Sequence, residues 1–470
     1  MNLLLAALLL SAAPTSRDRV YTGDQTSNTV TVIDPATNRT VGELALGAPR
    51  TEVLSPIYRG QALVHGLGFS PDHRTLLVVS IASNSVTFVD TATNRIRATA
   101  YLGRAPHEAF YTPDGSEVWV SVRGEAHVAV LDPNGKELRH IPVADGPGMV
   151  RFSRDGKLGF VVSSFSPELD VVDVAKHQVV QKVPVASPFS PNLDVCSDGQ
   201  VWMTHKDIGK VTVLTADEGG RYRVAALLDT GPITNHAACV DNAEGKFAFV
   251  TVGGANAVKV FTRDAAPRLV STIATGSLPH GIWPSDDGSR VYVGLENADS
   301  VAVIDAVARR ELLRIPGGQA PQALVFVSNA VPEGKGDQGL QPPGQRPVVV
   351  EMTPPGGGKA KGLASIRTLG VVDGLEMNLL GLSPKTPYAL YVANSDRPPY
   401  RDLRHVTDLI TNPRGGGAAQ AVGPLRELVR PDAPAGAPVR FLLLFAAGEP
   451  GAQQPVLAGR ISAEDQRQAK

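Results

Sequence analysis

The chain has 470 residues, enough for two or three domains, each with its own core. Lys plus Arg (45) and Asp plus Glu (46) nearly cancel to a net charge of −1. Without a basic excess to track phosphates, nucleic acid is excluded as the main partner. Two cysteines exclude a disulfide scaffold and a four-Cys zinc site, while 47 Gly and 37 Pro in a chain that is 43% hydrophobic announce many turns between buried segments.

Residues 3–10 form a short apolar run followed by Ser11, Ala12 and Ala13, and residues 1–13 read as a secretory signal peptide, although no Lys or Arg precedes the run. The run is too short to span a bilayer, and no later stretch supplies a transmembrane segment. Residues 20–23, 29–34 and 40–46 then read as three strands with no strand before them. From there one unit recurs. Its first strand ends in an Asp-Gly type turn, as in Leu67-Gly-Phe-Ser-Pro-Asp72, Phe110-Tyr-Thr-Pro-Asp-Gly115 and Val150-Arg-Phe-Ser-Arg-Asp-Gly156. A second strand follows, then an alternating third strand ending in Asp, such as Val128-Ala-Val-Leu-Asp132, then a fourth that leads into the next unit.

Taking the residue just before each first strand gives His65, His107, Gly148, Asn192, His236, His280 and Gln322, spaced 41–44 residues apart. Four strands per such period is a propeller blade. Residues 321–327 supply a first strand with no successors, and the N-terminus supplies three strands with no predecessor. Joined, they make a seventh blade, and the ring closes without open sheet edges.

Beyond residue 329, residues 332–347 are rich in Gly, Pro and Gln and read as a linker. Short β patterns follow at 348–352, 365–372, 375–382, 387–393, 406–410, 440–445 and 455–460, at sandwich-like spacing. Leu380-Gly-Leu-Ser-Pro-Lys-Thr-Pro-Tyr-Ala-Leu-Tyr391 resembles a strand entry of fibronectin-III-like modules. The expected organisation is all-β: a seven-bladed β-propeller over 19–329 with N- and C-terminal strand closure, a linker over 330–347, a small β-sandwich-like domain over 348–461 and a polar tail from 462.

Ser27-Asn-Thr-Val-Thr-Val-Ile-Asp-Pro-Ala-Thr-Asn38 and Ser83-Asn-Ser-Val-Thr-Phe-Val-Asp-Thr-Ala-Thr-Asn94 resemble the repeat of the YVTN-type β-propeller family, as does Val291-Tyr-Val-Gly294. The resemblance implies an exported bacterial or archaeal protein, periplasmic, secreted or on the surface. It does not imply one activity, because related propellers are binding scaffolds, surface proteins and redox or lyase enzymes.

The histidine pattern carries the chemistry. His65, His107, His236 and His280 share one blade-equivalent position, where residues lean towards the propeller axis. Neutral imidazoles converging there are candidate ligands for copper or zinc. The competing reading makes each a copied structural plug, hydrogen-bonded to a neighbouring loop. No carboxylate pairs share the position, which disfavours calcium and magnesium. Gln322 and Asn192 would complete the ring, and the loops between second and third strands would add Asp24, Arg123, His205, Lys206 and Glu296 at the same mouth, a setting for a small polar or anionic ligand. Cys196 and Cys239 fall on neighbouring inner strands. A disulfide is open to an exported chain, yet the expected strand separation leaves two buried thiols as the expectation. Ser163-Ser-Phe-Ser-Pro167 and the Gly-rich stretches lack the flanking helix that nucleophile or phosphate motifs need.

Two functions follow. One is an envelope scaffold, expected to be monomeric, that binds a small molecule or envelope protein at the channel mouth. The other is a copper- or zinc-dependent redox or lyase enzyme using the histidines.

Overall fold

Each repeated unit forms one four-stranded antiparallel sheet in a computed structural model of the chain, which describes residues 13–46, 62–343, 348–368, 373–423, 440–446, 450 and 454–461. The expected signal peptide and the tail from 462 lie outside these residues, apart from Ala13. Seven such sheets are the blades of a propeller. Blade 1 is built from both ends of the ring: Pro321–Val327 pairs with Arg19–Asp24, followed by Thr29–Asp34 and Arg39–Ala45. The inner strands of blades 2 to 7 are Val64–Phe69, Pro106–Tyr111, Pro147–Phe152, Leu193–Val195, Thr234–Asn242 and Pro279–Pro284.

The residue pattern explains the packing. Middle strands such as Ser85–Asp90 and Ser300–Asp305 are buried along nearly their whole length, because blades press face to face and both sides of the pleat are covered. Outer strands such as Glu137–Pro142 are exposed except at Ile141. Trp119, Trp202, Phe160 and Phe249 fill the wedges between blades and are fully buried. Each such side chain contributes about 1.5–3 kcal/mol by leaving water. The repeated Ser/Thr-x-Asp turn is also explained. Thr112 Oγ1 donates to Asp114 Oδ1 at 2.6 Å and Ser153 Oγ to Asp155 Oδ1 at 2.7 Å, while the same carboxylates accept the backbone N–H of Ser116 and Lys157.

The Gly/Pro segment after the ring is strapped to the propeller over its described part. Asn94 Nδ2 donates to the carbonyls of Gly336 and Gln338, each at 3.0 Å, and Glu43 pairs with Gln341. The C-terminal domain is a sandwich. One sheet holds Val348–Met352, Lys361–Thr368, Asp373–Leu380 and Gly417–Gly423; the other holds Arg404–Ile410, Pro387–Ala393, Arg440–Ala446 and Leu457–Ile461. Val350, Met377, Leu390 and Leu444 meet in its core. The strand Gly417–Gly423 went unpredicted because Gly-Ala-Ala-Gln-Ala-Val-Gly has only one β-branched residue, Val422; it forms by pairing with Asp373–Leu380. The sandwich touches blade 7, where Asn378 Nδ2 donates to Ser277 Oγ at 2.8 Å.

The cysteine expectation is corrected. Cys196 and Cys239 are joined as a disulfide between the inner strands of blades 5 and 6. Adjacent inner strands approach closely beside the channel, and the Cα atoms stand 5.4 Å apart, within the span of a disulfide.

Candidate metal and ligand site in the central channel

The histidines do not precede the inner strands but lie within them. In blades 2 and 3 the residue before the ring position still pairs with the second strand, Val64 with Ser80 and Pro106 with Val122, and the register then skips past His65 and His107. The same irregularity occurs at Gly148, His236, His280 and Gln322. A bulge leaves one residue unpaired and re-aims its side chain, here towards the axis. Neighbouring strands lie flush at this level. A Cβ on Gly66 would come within 2.3 Å of the His107 carbonyl oxygen, and one on Gly281 within 2.4 Å of the Gln322 carbonyl oxygen. The His-Gly pairs at 65–66 and 280–281 are therefore a packing requirement.

The four rings are buried. His65 Nε2 and His107 Nε2 face each other at 2.9 Å. His107 Nδ1 lies 2.7 Å from the Gly148 carbonyl and His280 Nδ1 lies 2.9 Å from the Gln322 carbonyl, so each carries its proton on Nδ1 and presents a bare Nε2. The rings of His236 and His280 are 4.8 Å apart and those of His65 and His280 are 6.4 Å apart, measured between centroids. Burial pushes His65 and His236 down to about 3, with the charge of Lys206 adding to the effect on both. Burial likewise lowers His107 and His280 well below the ordinary imidazole range. All four rings are thus neutral at physiological pH, the form that binds a metal. Glu108 completes the group: its carboxylate oxygen, His65 and His107 offer ligand atoms within 4.8 Å of one another. Burial pushes the Glu108 carboxyl well above the usual carboxylate range, with Arg151 partly opposing the shift.

Gln322 joins this network, donating from Nε2 to Gln25 Oε1 at 3.0 Å and to Glu296 Oε1 at 2.8 Å. Gln25 Nε2 in turn lies 3.4 Å from His65 Nδ1. Arg123 and Lys206 also lie close enough for their charges to depress the histidines. Two expected residues are placed elsewhere. Asp24 is sealed inside blade 1, accepting from Thr22, Thr31 and Thr29 hydroxyls at 2.7, 2.7 and 3.0 Å. His205 is held between Ser190 Oγ at 2.8 Å and Thr212 Oγ1 at 2.6 Å. Asn192 lines the channel beside His236, but its amide is engaged by the Ala237 N–H and the Met149 sulfur.

The reason for the first two is register. Asp24 and His205 end their strands, whereas Arg123 and Glu296 are the residues just after the strand ends Val122 and Leu295. A one-residue slip turns a side chain to the opposite face. The equivalent loop position is Gln25 in blade 1 and Lys206 in blade 5, so blade alignment of the strand ends finds Gln25. Glu108 had a signal too, as the immediate neighbour of His107.

Below the histidines the channel opens into a cavity of about 330 Å³, walled by Glu108, Arg151, His236, Trp283 and the Cys196–Cys239 bridge. The Arg151 guanidinium is sandwiched there between Phe110 and Trp283, 4.9 and 4.8 Å from their centroids, and paired with Asp194 at 2.8 Å.

Fold and site together define a seven-bladed β-propeller with a histidine-lined axial channel. The family model described as Lactonase, 7-bladed beta-propeller, matches residues 80–315, half of the chain, and the chain belongs to that family. Among solved structures it is similar to the periplasmic gluconolactonase of Pseudomonas aeruginosa, at 22% identity over 66% of this chain and 99% of that one, with a TM-score of 0.52. It is also similar to a functionally unknown protein of Desulfotomaculum acetoxidans, at 11% identity, the same coverage of both chains and a TM-score of 0.56. Hydrazine synthase of Kuenenia stuttgartiensis shares 20% identity over 56% of this chain and 89% of that one, with a TM-score of 0.50. At these identities the likeness is one of fold. None of the curated proteins matches the sequence. No helix among the described residues is long and apolar enough to cross a membrane.

Proposed function

We propose that the chain is an exported ligand-binding propeller whose histidine ring holds a copper or zinc ion on the channel axis. The observation that carries this reading is the facing pair His65 Nε2 and His107 Nε2 at 2.9 Å. Two nitrogens each about 2.0–2.1 Å from one ion, at right or tetrahedral angles, stand about 2.9–3.4 Å apart. The carbonyl contacts at Nδ1 of His107 and His280 are the outer-shell bonds that orient metal-binding imidazoles. Those contacts also meet the structural-plug reading halfway: one nitrogen of each ring plugs, while the other nitrogen of His107 meets His65 Nε2. Export is supported by the apolar run at residues 3–10, the YVTN-type repeats and the likeness to a periplasmic protein. Elemental mass spectrometry of untagged protein after exposure to copper and zinc tests the reading. We expect close to one ion per chain, lost in the His107→Ala/His280→Ala variant; a metal-free wild type overturns it.

Membership of the lactonase family favours a second reading, hydrolysis of a small lactone at the same site, the ion supplying a polarised carbonyl and an activated water. Release of acid from D-glucono-δ-lactone, faster with metal-loaded wild type than with the His107→Ala/His280→Ala variant, is the expected result. Equal rates would leave a binding role alone.

A further inference from the structure

The channel mouth is asymmetric. At ring level blades 2, 3, 6 and 7 contribute imidazoles and blade 1 contributes Gln322, whereas blades 4 and 5 contribute Gly148 and the engaged Asn192. One layer above, the residue after each second strand is Gln25, Ile81, Arg123, Ser164, Lys206, Gly253 and Glu296 in blades 1 to 7. Three consecutive members, Arg123, Ser164 and Lys206 of blades 3, 4 and 5, are hydrogen-bond donors, and blades 4 and 5 are the two without an imidazole or Gln322 at ring level. Ser164 Oγ lies 3.3 Å from where a Cβ on Gly148 would sit, which ties the layer to the ring beneath.

None of the three donors has an acceptor among the described residues. Ser164 is 4% exposed and its hydroxyl is buried with no hydrogen-bond partner, as is Arg123 Nε. The Arg123 guanidinium is walled by Phe165 and Phe189, 5.7 and 5.6 Å from their centroids, and burial lowers its pKa. Lys206 is likewise lowered by burial, with Glu296 opposing and Arg123 reinforcing the effect. Among the described residues, two cations against the carboxylate of Glu296 in this layer leave one positive charge over neutral imidazoles, and an ion in the ring would add to it. Buried donors without acceptors are costly unless a ligand satisfies them.

We infer that Arg123, Ser164 and Lys206 form a receptor for a small carboxylate at the channel mouth, one oxygen held by this arc and the other reaching the histidine-bound ion. The second contact rests on the metal reading above; the arc does not. A monoanion balances the residual charge, and the guanidinium, hydroxyl and ammonium supply donors from three sides of one oxyanion. The receptor site makes the mouth selective for acids over neutral isosteres.

Copper(II)-loaded protein titrated with acetate, and separately with acetamide, tests this through the ligand-field absorption of copper and by calorimetry. We expect saturable acetate binding and none for acetamide. Arg123→Gln and Lys206→Met should each weaken acetate roughly ten- to hundred-fold and Ser164→Ala less, at wild-type copper content and melting temperature. Equal binding of acetate and acetamide, or unchanged acetate affinity in the Arg123→Gln/Lys206→Met variant, overturns the receptor; the first comparison needs no variant to fold. If the wild type takes up no metal, the metal reading fails by itself. Acetate binding to that metal-free protein, lost in the double variant, would still uphold the arc, and its absence would overturn the arc as well.

Discussion

An imidazole taken out of water keeps its neutral form unless an anion accompanies it, and the channel histidines illustrate the consequence for stability. In the unfolded chain a histidine titrates near 6.5, whereas burial holds His65 and His236 at about 3. Between those values the unfolded state binds more protons, so stability is full above pH 6.5 and declines as pH falls towards 3. Lowering the pH from 7 to 5 should cost the metal-free protein about 2 kcal/mol for each such ring. Urea titrations at both pH values check this, and His236→Gln should show a smaller difference than wild type. Asp24 acts in the opposite sense. Burial, only partly opposed by its threonine hydrogen bonds, raises it to about 8. The folded state retains that proton where the unfolded state releases it, so stability is present below about pH 4 and is lost as pH rises to 8. Asp24→Asn should flatten this part of the profile; an unchanged slope between pH 5 and 8 would show that Asp24 does not carry it.

The inner strand is the element on which the site depends. Its bulge turns the ring residue to the axis, and its glycines let the neighbouring blade approach. Gly281→Ala would press a methyl group against the Gln322 carbonyl oxygen, which holds the His280 proton. We expect a loss of about 1–3 kcal/mol, read by urea denaturation, together with weaker metal retention. The disulfide joins two such strands across a separation of 43 residues. In the chain-entropy account it is worth up to about 4 kcal/mol. Calorimetry of wild type and Cys196→Ala/Cys239→Ala should show a lower melting temperature in the variant. Dithiothreitol should lower the wild type alone, and an equal response in both would mean that the bridge does not form.

For the whole molecule, closure is the decisive feature. Pro321–Val327 and Arg19–Asp24 come from opposite ends of the ring and pair along six positions. Removing residues 13–24 would expose the edges of both Pro321–Val327 and Thr29–Asp34 and leave the first and last blades unjoined. We expect broad, non-cooperative unfolding and self-association, visible by calorimetry and size-exclusion chromatography. A sharp, monomeric transition would show that six complete blades suffice.

Blade number, strand order and the splice across the termini were legible in the sequence because they rest on local patterns: a 41–44-residue repeat, period-two alternation and Asp-Gly turns. The shared histidine position was legible for the same reason, since a repeat places equivalent residues at equivalent heights around an axis. What tertiary structure alone decided was orientation and proximity. A single-residue register step sends Asp24 and His205 into their blades and Gln25 to the channel, a step that becomes readable only once the strand ends are known. Nor could spacing reveal that Glu108 stands beside His65, that Cys196 reaches Cys239, or that the Ser164 hydroxyl and Arg123 Nε are buried without a hydrogen-bond partner. Those facts depend on how closely adjacent blades pack around the axis, a distance set by every side chain in the wedges between them.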